Sequence, residues 1–233
     1  MALNGRLISN LELYSNEPQS YCLSYSTADS LVDYDRGPNL VDAPDIGDGL
    51  FIGREAELKQ MEAILLPDSH SLTRKVLILG GMGGIGKTQL AIAYAKQHHT
   101  YSSIFWLNAT SESALRTSLR RLAPQILLGE TVDQLDEDQL WVQISLWLSK
   151  LENSRWLLIF DNYDDPNQYQ IEQYYPFVAH GSIIITTRQP DRVNGYQIKV
   201  QSMTNDEDSL NILTTRSGRP DVLSGDDNSL TTM

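Results

Sequence analysis

The stretch Leu77-Ile78-Leu79-Gly80-Gly81-Met82-Gly83-Gly84-Ile85-Gly86-Lys87-Thr88, LILGGMGGIGKT, crowds five glycines between an apolar run and a Lys-Thr pair. From Gly81 to Thr88 it fits G-x-x-x-x-G-K-[ST], with VLIL reading as a strand before it and a helix expected from Thr88 onward. Glycines at 81, 83, 84 and 86 can take positive φ and carry no Cβ. Successive backbone N–H groups of the loop, Ile85 included, can therefore converge on an anion at a helix N-terminus. Lys87 adds the charge that a di- or triphosphate needs, and Thr88 offers a hydroxyl to Mg²⁺. A glycine turn followed by an exposed lysine is the bland alternative, and it does not explain the strand-loop-helix frame.

A phosphate loop calls for an acid at the end of a neighbouring strand, and SRWLLIFDN supplies Asp161 after five apolar residues. Asp161 is the expected Mg²⁺ partner, reaching the ion through water, and joins Thr88 as a metal residue. Hydrolysis usually asks for a second carboxylate to orient water, but the next residue is Asn162, an amide without useful basicity. Asp164 and Asp165 follow closely and could substitute, although in DDPN they serve equally well as turn formers. GSIIITTR is another strand, ending in Arg188. If that strand lies beside the phosphate loop, Arg188 stands where a γ-phosphate would sit and belongs with Asp161 in the catalytic set.

The remaining chain supplies a fold for these pieces. VLILG, SIFWLNA, RWLLIFDN, SIIITTR and YQIKVQ are five short apolar runs, separated by longer segments that mostly read as helices. That alternation predicts an α/β protein of the P-loop NTPase type, three layers deep (αβα), with a mainly parallel five-stranded sheet. Before the loop, FIGREAELKQMEAILLP carries Leu58, Met61, Ile64 and Leu65 at helical spacing, with Pro67 as the stop. After it, TQLAIAYAKQHH puts Leu90, Ala93, Tyr94 and Gln97 on one stripe. DEDQLWVQISLWLSKLE has an acidic first turn and a face of Leu140, Ile144, Trp147, Leu148 and Leu151. A short helix is expected around DEDSLNILTTR.

Residues 1–48 read as an acidic, mostly disordered arm or linker, 49–215 as the nucleotide-binding domain and 216–233 as a disordered tail. The chain holds 30 acidic and 18 basic residues, a net charge of −12. This disfavours nucleic acid, whose affinity rests on clustered Lys and Arg. Cys22 is the single cysteine, so neither an intrachain disulfide nor a cysteine-built metal site is expected. With no signal-like or membrane-spanning run, a soluble cytoplasmic protein without a membrane partner is expected.

Taken in order, FIGREAEL, GGMGGIGKTQLA, SIFWLNA, RWLLIFDN and GSIIITTR resemble the NB-ARC domain of STAND P-loop ATPases. These are the signalling switches of plant resistance proteins, apoptosome scaffolds and fungal NOD-like receptors. The phrasing FWLNA and FDNYDDP is most similar to the fungal branch. The resemblance covers about residues 50–215. It implies an adenine nucleotide, ADP or ATP, with Ile52, Gly53 and Arg54 at the position that wraps the base. It also implies a resting ADP state, and ATP exchange that drives oligomerisation with further copies or longer STAND relatives. The family continues into a helical lid and a winged-helix module, before which this chain ends, so an open and looser nucleotide site is the expectation. Three functions fit: a nucleotide switch with slow or absent hydrolysis, an active Mg²⁺-dependent ATPase using Asp164 or Asp165, and a nucleotide-free decoy for longer relatives.

Overall fold

The computed structural model describes residues 43–44, 51–66, 73–98, 100–127, 132–203, 210–212 and 214–215. All of them belong to one compact unit, Tyr34–Met233. Apart from residues 43 and 44, the expected arm at 1–48 lies outside the described residues, as does the tail at 216–233. Pro67, the expected stop of the first helix, and much of DEDSLNILTTR also fall outside; helical turns are present at 210–212 and 214–215.

All five apolar runs form strands: β1 (Lys75–Gly80), β2 (Ser103–Asn108), β3 (Trp156–Asp161), β4 (Ser182–Thr187) and β5 (Tyr196–Lys199). They make one sheet in the order β2-β3-β4-β1-β5, and every neighbouring pair is parallel. Helices cover both faces, which is why the central strands read as continuous apolar runs without polar alternation. On one face α3 (Glu112–Ile126) and α4 (Glu137–Ser149) bury Leu119, Leu122, Ile144 and Leu148 against Ile78, Phe105, Leu158 and Ile185. On the other, α1 (Glu55–Leu65) and α2 (Lys87–Gln97) bury Met61, Leu65, Leu90 and Tyr94 against Leu77, Leu79, Ile159 and Ile184. The expected three-layer αβα fold is therefore present. Ala43 packs against this second cluster, so contact with the core begins ahead of residue 49.

Helix ends follow local chemistry. Asp136 caps α4 by accepting from Gln139 N, while Gln139 Oε1 accepts from Asp136 N, a reciprocal box that satisfies two otherwise orphaned donors. Ser111 caps α3 through Ala114 N.

Four expectations are corrected in detail. Helix α2 starts at Lys87 and is buried nearly all round, whereas Gln97, assigned to its buried stripe, is exposed. Leu151 is 75% exposed, because α4 ends at Ser149, where Lys150 N and Asn153 Nδ2 both donate to Trp147 O and take the chain out of helical phase. Between β3 and β4 there is no α-helix, only a short 3-10 turn at Ile171–Tyr174. Finally, β3 is not the immediate neighbour of the loop strand; β4 lies between β1 and β3.

Candidate functional site

The loop Gly81–Gly86 leaves the carboxyl end of β1 and enters α2, so the N-terminus of a buried helix points at whatever the loop encloses. Gly84 (φ 76) and Gly86 (φ 98) take the left-handed backbone that a nest of N–H groups requires. A Cβ on Gly84 would meet nothing within 4 Å, so the space it faces is open. Gly81 has a different reason to be glycine: a Cβ there would come 2.6 Å from Val200 O on the β5 side. Gly83 does not have positive φ; it is the point of closest approach to Arg188, whose Cζ would lie 3.6 Å from a Cβ.

Lys87 is only 6% exposed, and its ammonium donates to Gly81 O and Met82 O, both at 2.9 Å. Burial lowers its pKa, and the charges of Asp164 and Asp161 oppose that shift. A buried cation that, among the described residues, is hydrogen-bonded only to neutral carbonyls of its own loop is a group suited to an incoming anion.

Asp161, also 6% exposed, accepts on Oδ1 from Thr88 Oγ1 at 2.8 Å and from Thr186 Oγ1 at 2.6 Å. Burial raises its carboxyl above the ordinary value, while the two hydroxyls and Lys87 pull it down. Among the described residues no hydrogen bond reaches Oδ2. Thr186 shows how the carboxylate reaches the loop helix across the intervening β4: it sits at the end of that strand and holds Asp161 from the side. Sequence reading missed Thr186, although two threonines following three isoleucines in a fully buried strand were a signal.

Asn162 adopts φ 63, a conformation that asparagine tolerates better than most residues. It turns the chain over the end of β4, where Asn162 N donates to Thr186 Oγ1 and Tyr163 N to Thr186 O. Tyrosines pin the following segment. Tyr163 Oη donates to Tyr169 O, Tyr169 Oη to Ala109 O, and Tyr174 Oη to Glu112.

Arg188 follows β4, which does pair with β1, Gly80 opposite Thr187. The condition placed on Arg188 is met. Its Nε lies 2.6 Å from Asp164 Oδ2, and its backbone N donates to Asp164 Oδ1 at 2.8 Å. Asp165 instead accepts from Asn167 N and Gln168 Nε2 in a turn.

Beside the loop is a cavity of about 460 Å³, walled by Phe51, Ile52, Arg54, Ile85, Gly86 and Met203. Its size lies within the range of small-molecule sites. Ile52 and Arg54 reach it, whereas Gly53 (φ 76) is buried in the turn before α1. Arg54 braces the wall: its Nη2 donates to Ile85 O at 2.8 Å and to Gln201 O at 3.0 Å, and Nη1 pairs with Glu57. Its own backbone is left-handed, φ 66, at the N-cap of α1. Among the described residues there is no group of three His, Cys, Asp or Glu side chains that could hold a metal alone. The groups present, the Thr88 hydroxyl and the Asp161 carboxylate hydrogen-bonded to it, fit a Mg²⁺ ion that is ligated by the hydroxyl, water and phosphate, with the carboxylate acting through water.

Sheet order, glycine loop, buried lysine and the Thr88–Asp161 pair together define a P-loop nucleotide-binding domain. More narrowly, the chain belongs to the NB-ARC domain family, whose model matches residues 54–221. A nucleotide-binding leucine-rich repeat (NLR)-like protein of Hyaloscypha variabilis is 30% identical over 187 residues, covering 71% of this chain and 18% of the relative. A WD repeat-containing protein, alr2800, of Nostoc is 33% identical over 129 residues, covering 52% of this chain and 10% of that protein. The chain thus spans less than a fifth of the length of either relative. Similar solved structures include the Aeropyrum pernix ORC2 protein in ADPNP-ADP complexes, with 16% identity, 74% of this chain, 55% of that chain and a TM-score of 0.49. CDC6P from Pyrobaculum aerophilum has 15% identity, 74% and 54% coverage and a TM-score of 0.48. No helix among the described residues is long and apolar enough to cross a membrane.

Proposed function

We propose that this chain is an ADP- or ATP-binding signalling switch module of the NB-ARC/STAND type, with slow or absent hydrolysis. An otherwise complete phosphate cradle next to an amide at residue 162 carries the proposal. The loop N–H groups and Lys87 hold the phosphates, Lys87 exchanging its carbonyl partners at Gly81 and Met82 for phosphate oxygens. Thr88, with Asp161 acting through water, would hold Mg²⁺, which would supply charge neutralisation to the phosphates. The adenine lies in the cavity between Ile52 and Met203. Arg188 meets the γ-phosphate when one is present.

An active ATPase would need a carboxylate free to orient water. Asn162 offers none, Asp164 is engaged with Arg188, and Asp165 caps a turn. The same proposal takes 49–215 as the nucleotide-binding domain and the cytoplasm as its setting. Further copies or longer relatives are its partners.

The test is the nucleotide content of the purified protein after denaturation, with turnover measured in parallel. ADP or ATP is expected at well below one per chain, as an open site that holds it loosely would retain, and to be lost in Lys87→Ala. Turnover is expected to be near background and to rise in Asn162→Asp. A wild-type rate that depends on Mg²⁺ and disappears in Asp161→Ala would defeat the pure-binder proposal, and absence of any nucleotide affinity would defeat the switch.

A further inference from the structure

Arg188 is 63% exposed, and a long exposed arginine ordinarily samples many rotamers, losing that freedom when it meets a ligand. Here it is held. Asp164 takes Nε on one carboxylate oxygen and the Arg188 backbone N–H on the other. Among the described residues the two Nη groups make no hydrogen bond. The guanidinium lies along Gly83, the loop glycine at which a Cβ would stand 3.6 Å from Cζ and 3.9 Å from Nη1.

Asp164 can hold Arg188 because it is itself fixed. The turn begun by Asn162 is fastened to the end of β4 through Asn162 N to Thr186 Oγ1 and Tyr163 N to Thr186 O. Asp164 N donates to Asn162 O at 2.9 Å, and Asp164 O accepts from Gln189 Nε2 at 2.8 Å. Carboxylate and arginine therefore form one fixed pair against the loop at Gly83.

We infer that Asp164 is a positioning residue: by holding Arg188 through Nε it presents the free Nη fork to the γ-phosphate and so sets the preference for ATP over ADP. The inference rests on the nucleotide-switch proposal and gives Asp164 a role other than general base. No covalent step is involved. Holding the side chain in advance removes an ordering cost that ATP, and not ADP, would otherwise bear.

The full chain, freed of nucleotide, is titrated with fluorescently labelled ADP and with labelled ATPγS in Mg²⁺, for wild type, Asp164→Asn, Arg188→Ala and the double variant. Asn keeps the acceptor for Arg188 N–H and removes the charge that holds Nε, so the turn is retained. Asp164→Asn is expected to weaken ATPγS relative to ADP by about fivefold, the scale of ordering one rotamer-rich side chain. In the Arg188→Ala background the same change should leave the ADP/ATPγS ratio unaltered. Arg188→Lys, which keeps charge without the fork, should resemble Asp164→Asn. An unchanged ratio in Asp164→Asn overturns the inference. So does tighter ATPγS binding, which would make Asp164 a competitor for the arginine. A shift that persists without Arg188 also overturns it, since Asp164 would then act on phosphate directly. Wild-type protein that binds neither nucleotide brings down the switch proposal itself, a result distinct from all of these.

Discussion

The two ends of the sheet use similar residues for opposite purposes. At the amino end, Gly181 (φ 83) is glycine because the Trp156 indole occupies the space where a Cβ would stand. Around it Trp156 Nε1 and His180 Nε2 both reach Leu148 O, and Ser182 Oγ donates to Leu65 O. At the carboxyl end, Gly84 (φ 76) faces open space, Lys87 is satisfied only by its own loop, and Asp161 keeps one oxygen without a hydrogen bond among the described residues. One end is closed upon itself. The other is buried but left incomplete, and that incompleteness marks the binding end. A left-handed glycine alone distinguishes nothing; what faces its missing Cβ does.

Substitutions at the two ends should therefore separate stability from binding. Lys87→Ala has the largest expected effect: nucleotide affinity falls by about a hundredfold or more, as for loss of a buried charged partner. Its unfolding midpoint without nucleotide should stay close to wild type, which calorimetry and equilibrium titration can check together. Gly181→Ala should do the reverse, costing about 3 kcal/mol from overpacking and a left-handed alanine. The urea midpoint drops, and binding per folded molecule is unchanged.

Asp161→Asn sharpens the contrast within the binding end. The Mg²⁺-dependent part of nucleotide affinity should fall about tenfold, the scale of a hydrogen bond to a charged group. Because burial raises the Asp161 pKa, folding favours the protonated carboxyl. Its stabilising contribution is thus full below the unfolded pKa and is lost as pH rises through the folded one. Nucleotide-free Asp161→Asn should accordingly unfold at higher urea than wild type at neutral pH, and the gain should vanish as pH falls toward the ordinary carboxylate range. Gly84→Ala has the smallest expected effect on the fold, about 1 kcal/mol for a left-handed alanine with no overlap, together with a measurable loss of affinity. Equal stability losses at Gly84 and Gly181 would break the comparison.

Local patterns made most of this visible in advance. Five strands, the loop and its helix were legible because a doubly covered parallel sheet writes itself as apolar runs, and a phosphate loop as glycines. Strand order was not, since pairing between β1 and β4 is non-local, and so the place of Thr186 beside Asp161 was hidden. Asp164 was legible as a carboxylate near the site, but its partner depended on where the Asn162 turn crosses β4. Gly81 looked like a phosphate ligand; its contact with Val200 is a tertiary fact that spacing does not record.

The position of β1 has a consequence for how the chain is made. Its two partners begin at Ser182 and Tyr196, so the strand that carries the phosphate loop is synthesised early and has neither edge covered until the last strands emerge. Until then a Val-Leu-Ile-Leu segment lies bare in the nascent chain, the kind of strand that pairs with the wrong neighbour. The cradle is correspondingly among the last features to form, and nucleotide capture would report that synthesis has passed β5.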